Sequence, residues 1–147
     1  MRTRLAGILV LVLCLAGCGA GGAETPDGAA KAYAEAVYSG KPDTAVQYVV
    51  ADERDAHRKL LESKASSAFT ADCVVKETTL AGTEAKVIVA VTLKRTDGKA
   101  LSVEPIPMTY VCKQAGGRWF VSPAASILAS MDEAQAMIDK AKADSKK

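Results

Sequence analysis

Few side chains in this sequence of 147 residues could do chemistry: one histidine, four cysteines and scattered acids and serines. His57 would need a proton-transfer partner within hydrogen-bond reach to act as a base. Helical spacing puts it between Ala56 and Arg58, towards the polar side, so a solvated histidine is the expectation. Asp52, Glu53 and Asp55 look like a paired-carboxylate cluster. They also stand where a helix should begin, and capping and the helix dipole explain them there. Glu104 lies beside Pro105 in a strand region with no second group placed to work with it. No serine can be matched with a base and an orienting acid from the sequence. Gly21-Gly22 and Gly116-Gly117 lack the strand-to-helix setting of a phosphate loop. Cys73, Cys112 and His57 do not make a ligand set at zinc spacing. The expectation is therefore no catalysis, no metal and no cofactor.

Cys18 is different, because its neighbours imply a reaction. Arg2 and Arg4 precede Leu5 to Leu15, a stretch that is apolar apart from Gly7. The run is shorter than the roughly 20 residues that a membrane span needs, and it fits the h-region of a secretion signal. Ala16, Gly17 and Cys18 follow it. Leu15-Ala16-Gly17-Cys18 resembles the bacterial lipobox. That resemblance implies that the Cys18 thiolate takes diacylglycerol, that a dedicated peptidase cuts before Cys18, and that the new terminus can be acylated with a fatty acid such as palmitate. Two or more chains make an anchor durable where one does not. The other reading is ordinary cleavage near Ala20 or Ala23, which would release a soluble secreted protein. On the lipobox reading residues 1–17 are a signal peptide. Residues 18–24, with Gly19 to Ala23 among them, form a flexible tether. The protein then sits outside the cytoplasmic membrane of a bacterium, on the cell membrane or the outer membrane.

Removing 17 of 147 residues leaves 130, enough for one domain with a real core. Arg2 and Arg4 leave with the signal, so 17 basic residues face 17 acidic ones in what remains. That neutrality offers no electrostatic case for nucleic acid or for anionic lipid. Lys140, Lys142, Lys146 and Lys147 read as a solvated basic tail. Cys14 is apolar filler in the signal. In an exported, oxidising setting Cys73 and Cys112 are expected to form a disulfide.

Secondary-structure signals come in two blocks. Thr25-Pro26-Asp27 opens an alanine-rich helix that Gly40 ends. Pro42-Asp43 starts a short second helix through Val49. Asp52 caps a third, with Ala56, Leu60, Leu61, Ala65 and Ala68 as its apolar face and an end near Ser67 or Phe69. The period then changes to alternation. Val74 to Leu80 is one strand, and Ala85, Val87, Val89, Val91 and Leu93 mark the next. Asp97-Gly98 is a hairpin signal. Leu101 to Lys113 is a third strand region, where Pro105 and Pro107 imply an edge, a bulge or a break. Gly116-Gly117 turns into Arg118 to Ser122. Ser130-Met131-Asp132-Glu133 has the capping-box pattern and should open a last helix to about Lys142.

Helices followed by an antiparallel meander predict an α+β fold with N-terminal helices packed on one face of a curved sheet and a C-terminal helix. The alanine-rich helix with Tyr33, then Ser39-Gly40-Lys41-Pro42-Asp43, and the Gly116-Gly117-Arg118-Trp119-Phe120-Val121 turn and strand resemble the cone-shaped nuclear transport factor 2-like (cystatin-like) fold. The likeness is to its small bacterial lipoproteins, and it covers residues 25–122. Residues 123–147 form a C-terminal helix and basic tail. The resemblance implies a cavity between helices and sheet, which Tyr33, Tyr38, Tyr48, Met108, Tyr110 and Trp119 are large enough to line. As core residues they need no ligand. Fold does not give function. The expectation is a membrane-anchored, non-catalytic protein that binds a small apolar ligand or an envelope protein, and no nucleic acid. The alternatives are an enzyme of the isomerase or cyclase type using the cavity, and an inhibitor of an external enzyme.

Export and strand geometry collide at the two cysteines. With turns at Ala81-Gly82 and Asp97-Gly98, Cys73 falls opposite Ala90 and Cys112 opposite Thr83. Seven residues of offset at ~3.3 Å each is about 23 Å, whereas a disulfide needs Cα atoms ~4.4–6.8 Å apart. The expectation is that the bond forms and that the sheet is not a plain four-strand meander in this register: either Pro105 and Pro107 break the third strand, or Cys73 precedes the first strand in a loop free to cross the sheet.

Overall fold

The computed structural model describes residues 21–64, 69–99, 101 and 104–145. Helix α1 is Pro26–Tyr38, α2 Pro42–Ala45, α3 Arg54–Lys64 and α4 Pro123–Asp144. Strands β1 (Phe69–Ala81), β2 (Glu84–Arg95), β3 (Ile106–Ala115) and β4 (Arg118–Ser122) form one antiparallel sheet in the order β1-β2-β3-β4. The protein is α+β, with helices first, a curved open sheet next and a helix last.

Helix α1 starts as its sequence demands. Thr25 Oγ1 accepts from the Gly28 amide at 3.1 Å, and Pro26 takes the first position, where a missing N–H costs nothing. Ala29, Ala30, Tyr33, Ala34 and Ala36 are its buried side. Alanines let the helix lie close to Ala85, Val87, Val89 and Val91, the buried alternate residues of β2. Two-residue turns join β1 to β2 and β3 to β4. Gly116 and Gly117 both have positive φ, 58° and 76°, as a primed hairpin turn requires.

The plain meander that the disulfide argument ruled out is the one present. Cys73 faces Val91, and Cys112 faces Ala85. Those partners are six residues apart on β2, about 20 Å along the strand. Both cysteines are buried free thiols, so the expected Cys73–Cys112 bond is corrected: sheet geometry wins over redox setting. The register differs from the simple count in three places, the first being that the β1–β2 turn is Gly82-Thr83 and not Ala81-Gly82. A bulge between Val75 and Glu77 shifts β1 by one. Past the Asp97-Gly98 turn, the Leu101 amide still donates to Leu93, yet Val91 already faces Ile106. Pro105 lies just before β3, which begins at Ile106.

Pro107 stays inside β3 without costing a ladder bond. The Val111 amide points away from β2, to Ser126 Oγ at 2.8 Å. Two-residue periodicity gives Pro107, opposite Ala90, the same outward side, where β4 does not reach.

Three further expectations change. Helix α4 begins at Pro123, not at Ser130, and Ser122 is its cap. The capping-box residues do other work: Ser130 Oγ donates back to Ser126 O, and Glu133 Oε2 accepts from Thr109. Helix α3 buries no Ala56–Leu60 stripe. Leu60 is 44% exposed and Leu61 is the part-buried one, while Ala65 and Ala68 lie outside the described residues. Finally, Gly22 and Ala23, expected within a flexible tether, are fixed to the domain. The Gly22 amide donates to Gln47 O, and Ala23 exchanges two backbone hydrogen bonds with Trp119 of β4. A Cβ on Gly22 would meet the Phe120 ring at 2.6 Å, so only glycine fits.

Candidate functional site

Four elements enclose a cavity of about 450 Å³: the C-terminal half of α1, the start of α3, the first half of β3 and the first three turns of α4. It is within the ordinary size range for small-molecule sites. It exists because β4 is short. β4 pairs only with Val111 to Ala115, and α4 takes the place beside the rest of β3. A cluster of polar contacts holds α4 there. Glu53 Oε1 accepts from Ser122 Oγ at 2.6 Å, and Glu53 Oε2 accepts from the Ala124 amide at 2.9 Å. Farther along, Glu133 accepts from Thr109 at 2.9 Å and pairs with Lys86.

Helical spacing aims Pro123, Ser126, Ile127, Ser130, Met131 and Ala134 at the cavity. Ile127 and Met131 remain 59% and 62% exposed, so the mouth carries bare apolar surface. Met108 and Tyr110 supply the wall from β3, and Tyr33, Val37 and Tyr38 supply it from α1.

The cavity's polar groups are the Thr109, Ser126 and Ser130 hydroxyls and an aromatic cluster with His57. Tyr33 Oη lies 2.6 Å from His57 Nε2. Burial pushes the Tyr33 phenol well above its ordinary value, with Tyr38 and Glu53 adding to the rise. Tyr33 therefore stays protonated, and its hydroxyl and His57 Nε2 share one hydrogen bond. Burial also lowers the His57 pKa, against an opposing pull from Glu53. The Tyr33 and Tyr110 rings meet edge to face, with centroids 5.6 Å apart. Burial raises Tyr110 too, and the neighbouring Tyr38 phenol adds to the rise. Burial likewise raises Tyr38, and the neighbouring Tyr110 phenol partly offsets that.

Of the residues named from the sequence, Tyr33, Tyr38, Met108 and Tyr110 come together here. Tyr48 does not: it sits beyond α1, beside Ala32, Ala36 and Ala71. Trp119 does not either: it is buried on β4 against the Ala23 bridge. Cys73 and Cys112 lie on the core face of the sheet, and Cys18 is outside the described residues. Glu104 is exposed and does not line the cavity. Among the described residues no three His, Cys, Asp or Glu gather as a metal site.

His57 is the residue that sequence reasoning missed. Helix α3 turns Arg54, His57, Arg58 and Leu61 inward. Arg54 Nε donates to Val49 O at 2.8 Å, and its guanidinium lies 5.4 Å from the Phe120 ring centre. Arg58 pairs with Asp43. The helix docks through these polar contacts, so hydrophobic periodicity could not show its inner face. The i, i+4 pair His57 and Leu61 was the available signal.

No protein-family model and no curated protein matches the chain. Solved structures similar to it include a SEC-C motif containing protein from Rhodopseudomonas palustris, at 20% identity over 69% of this chain and 77% of that one, TM-score 0.48. Another is an uncharacterized cystatin fold protein from Novosphingobium aromaticivorans, at 22% identity over 67% of this chain and 96% of that one, TM-score 0.43. A third is a designed nuclear transport factor 2-like chain, at 16% identity over 63% and 87%, TM-score 0.46. These likenesses concern fold alone.

Proposed function

We propose that this protein is a bacterial lipoprotein of the nuclear transport factor 2-like kind, cut before and lipidated on Cys18. Its single domain stands outside the cytoplasmic membrane and binds a small apolar ligand without transforming it. The observation that carries the binding reading is the cavity of about 450 Å³, apolar in its walls and open at the Ile127–Met131 rim. Tyr33 is bonded to His57, Thr109 to Glu133, and Ser126 and Ser130 to backbone carbonyls, which suits an occupant held by apolar contact. Anchoring rests on Leu15-Ala16-Gly17-Cys18 and the apolar run before it.

Cys18→Ser tests the anchor, because a hydroxyl does not supply the thiolate nucleophile. Fractionation and mass spectrometry should show loss of the lipid and release or misprocessing of the chain. An unmodified Cys18 in the wild type would sink this half. Binding is tested with Nile red, a neutral apolar dye. Ala134→Glu, which puts a charge on the cavity wall, should abolish its fluorescence gain. A signal indifferent to that change would sink the other half.

A second reading, an isomerase- or cyclase-type enzyme, draws on His57, a partly buried base bonded to a phenol. Against it, no Asp or Glu lines the cavity, and Glu53 is engaged by Ser122 and Ala124. Turnover of steroid- or polyketide-like substrates that His57→Gln abolished would establish this reading instead.

A further inference from the structure

The cavity has a neighbour. A second space of about 300 Å³ lies on the other side of Val37 and Tyr38, which line both. The walls of the second space include Leu61 and Phe69, and its rim carries Lys41 and Lys64. The two spaces thus adjoin at Val37 and Tyr38, one towards the α4 rim and the other towards the α1–α2 turn.

The distribution of polar groups between them is uneven. At the α4 end Tyr33 is bonded to His57, Thr109 to Glu133, and Ser126 and Ser130 to backbone carbonyls, and no lysine or arginine lines it. At the other end stand two ammonium groups. Among the described residues neither Lys41 nor Lys64 is paired with a carboxylate, whereas the nearby Arg58 has Asp43 and Lys31 has Glu35. Neither space is lined by an Asp or a Glu. Apolar surface stays in water at both: Phe69 is 36%, Ile127 59% and Met131 62% exposed. A compact ring in the larger cavity would leave Phe69 and both lysines unused. An extended chain with one negative end would cover all of them.

We propose that the occupant is a single-chain anionic amphiphile of the fatty-acid type, with its carboxylate between Lys41 and Lys64 and its hydrocarbon laid past Val37 and Tyr38 against Met108, Ile127 and Met131. This rests on the binding reading above and adds the ligand class, its direction and the use of the second space. Attraction between a carboxylate and two exposed ammoniums is modest and weakens with salt. The hydrocarbon supplies most of the affinity, and the lysines choose the head group.

The test uses the lipidated full chain in its own membrane, free of detergent, which would compete. Two photoreactive twelve-carbon probes are compared, one a carboxylate and one the matching alcohol. Labelled peptides are mapped by mass spectrometry. The carboxylate should label β3 and α4 peptides containing Met108 and Met131. Lys41→Ala with Lys64→Ala should raise its half-labelling concentration about fivefold, and Lys→Arg at both should restore it. The alcohol should label the same peptides with no response to the lysines. Equal response of both probes to the lysine changes, or none from either, overturns the amphiphile proposal and leaves apolar binding standing. Failure of both probes to label these peptides overturns apolar binding as well.

Discussion

At the scale of single residues, the informative pair is Tyr33 and His57. Burial depresses the His57 pKa below its ordinary value of 6.5. The unfolded chain therefore takes up a proton before the folded one as pH falls, and that favours unfolding. The contribution is fully present above about pH 6.5 and is lost as pH drops through the folded-state value. Urea midpoints measured between about pH 8 and pH 5 should fall in that lower range, and His57→Gln should flatten the decline. An identical decline in the variant would refute the assignment. Glu133 is also depressed, by its hydrogen bond to Lys86, but from 4.5, so its loss belongs to a lower and separable window.

Among the elements, α4 decides whether a cavity exists, and Glu53 decides where α4 begins. Its carboxylate takes one donor from Ser122 and one from Ala124, both at a helix N-terminus, where negative charge is favourable. Glu53→Ala should cost about 1–2 kcal/mol in chemical denaturation. Ser122→Ala should cost a similar amount, and the double variant less than the sum, because both act on one cap. A loss under about 0.5 kcal/mol for Glu53→Ala would mean that α4 is held by its Thr109 and Ser126 contacts instead. The Ser122-Pro123 start was visible in the sequence as a cap followed by proline. Ser130 and Glu133 gave a second, equally regular signal, and local pattern alone does not rank the two.

For the whole molecule, the register of the sheet keeps the two thiols apart. Burial pushes Cys73 up to about 11, with Glu35 adding to it, and pushes Cys112 up to about 12. In the native protein both should resist alkylation while folded and react fully once unfolded without reductant. Peptide mapping reads the result, and a linked peptide joining Cys73 to Cys112 would overturn the register.

Much of this architecture was legible without coordinates. Helix α1, its Thr25-Pro26 start, the alternating core face of β2, the hairpin glycines and the α+β order all follow from local rules: capping, period and turn chemistry act over a few residues. Sheet arithmetic from those turns places the two cysteines far apart, but the expectation of a disulfide followed the redox argument instead and was wrong. The site was legible only in part. Tyr33, Tyr38, Met108 and Tyr110 were named for their size, but Tyr48 and Trp119 were named on the same ground and lie elsewhere. Which large residues share a cavity depends on where β4 stops and which side of α3 turns inward. The first is set by α4 taking the edge of β3. The second is set by Arg54, His57 and Arg58 finding Val49, Tyr33 and Asp43, partners at least five residues away and mostly in other helices. Such contacts leave no periodic trace in the chain, so only the tertiary structure could bring His57 to the cavity.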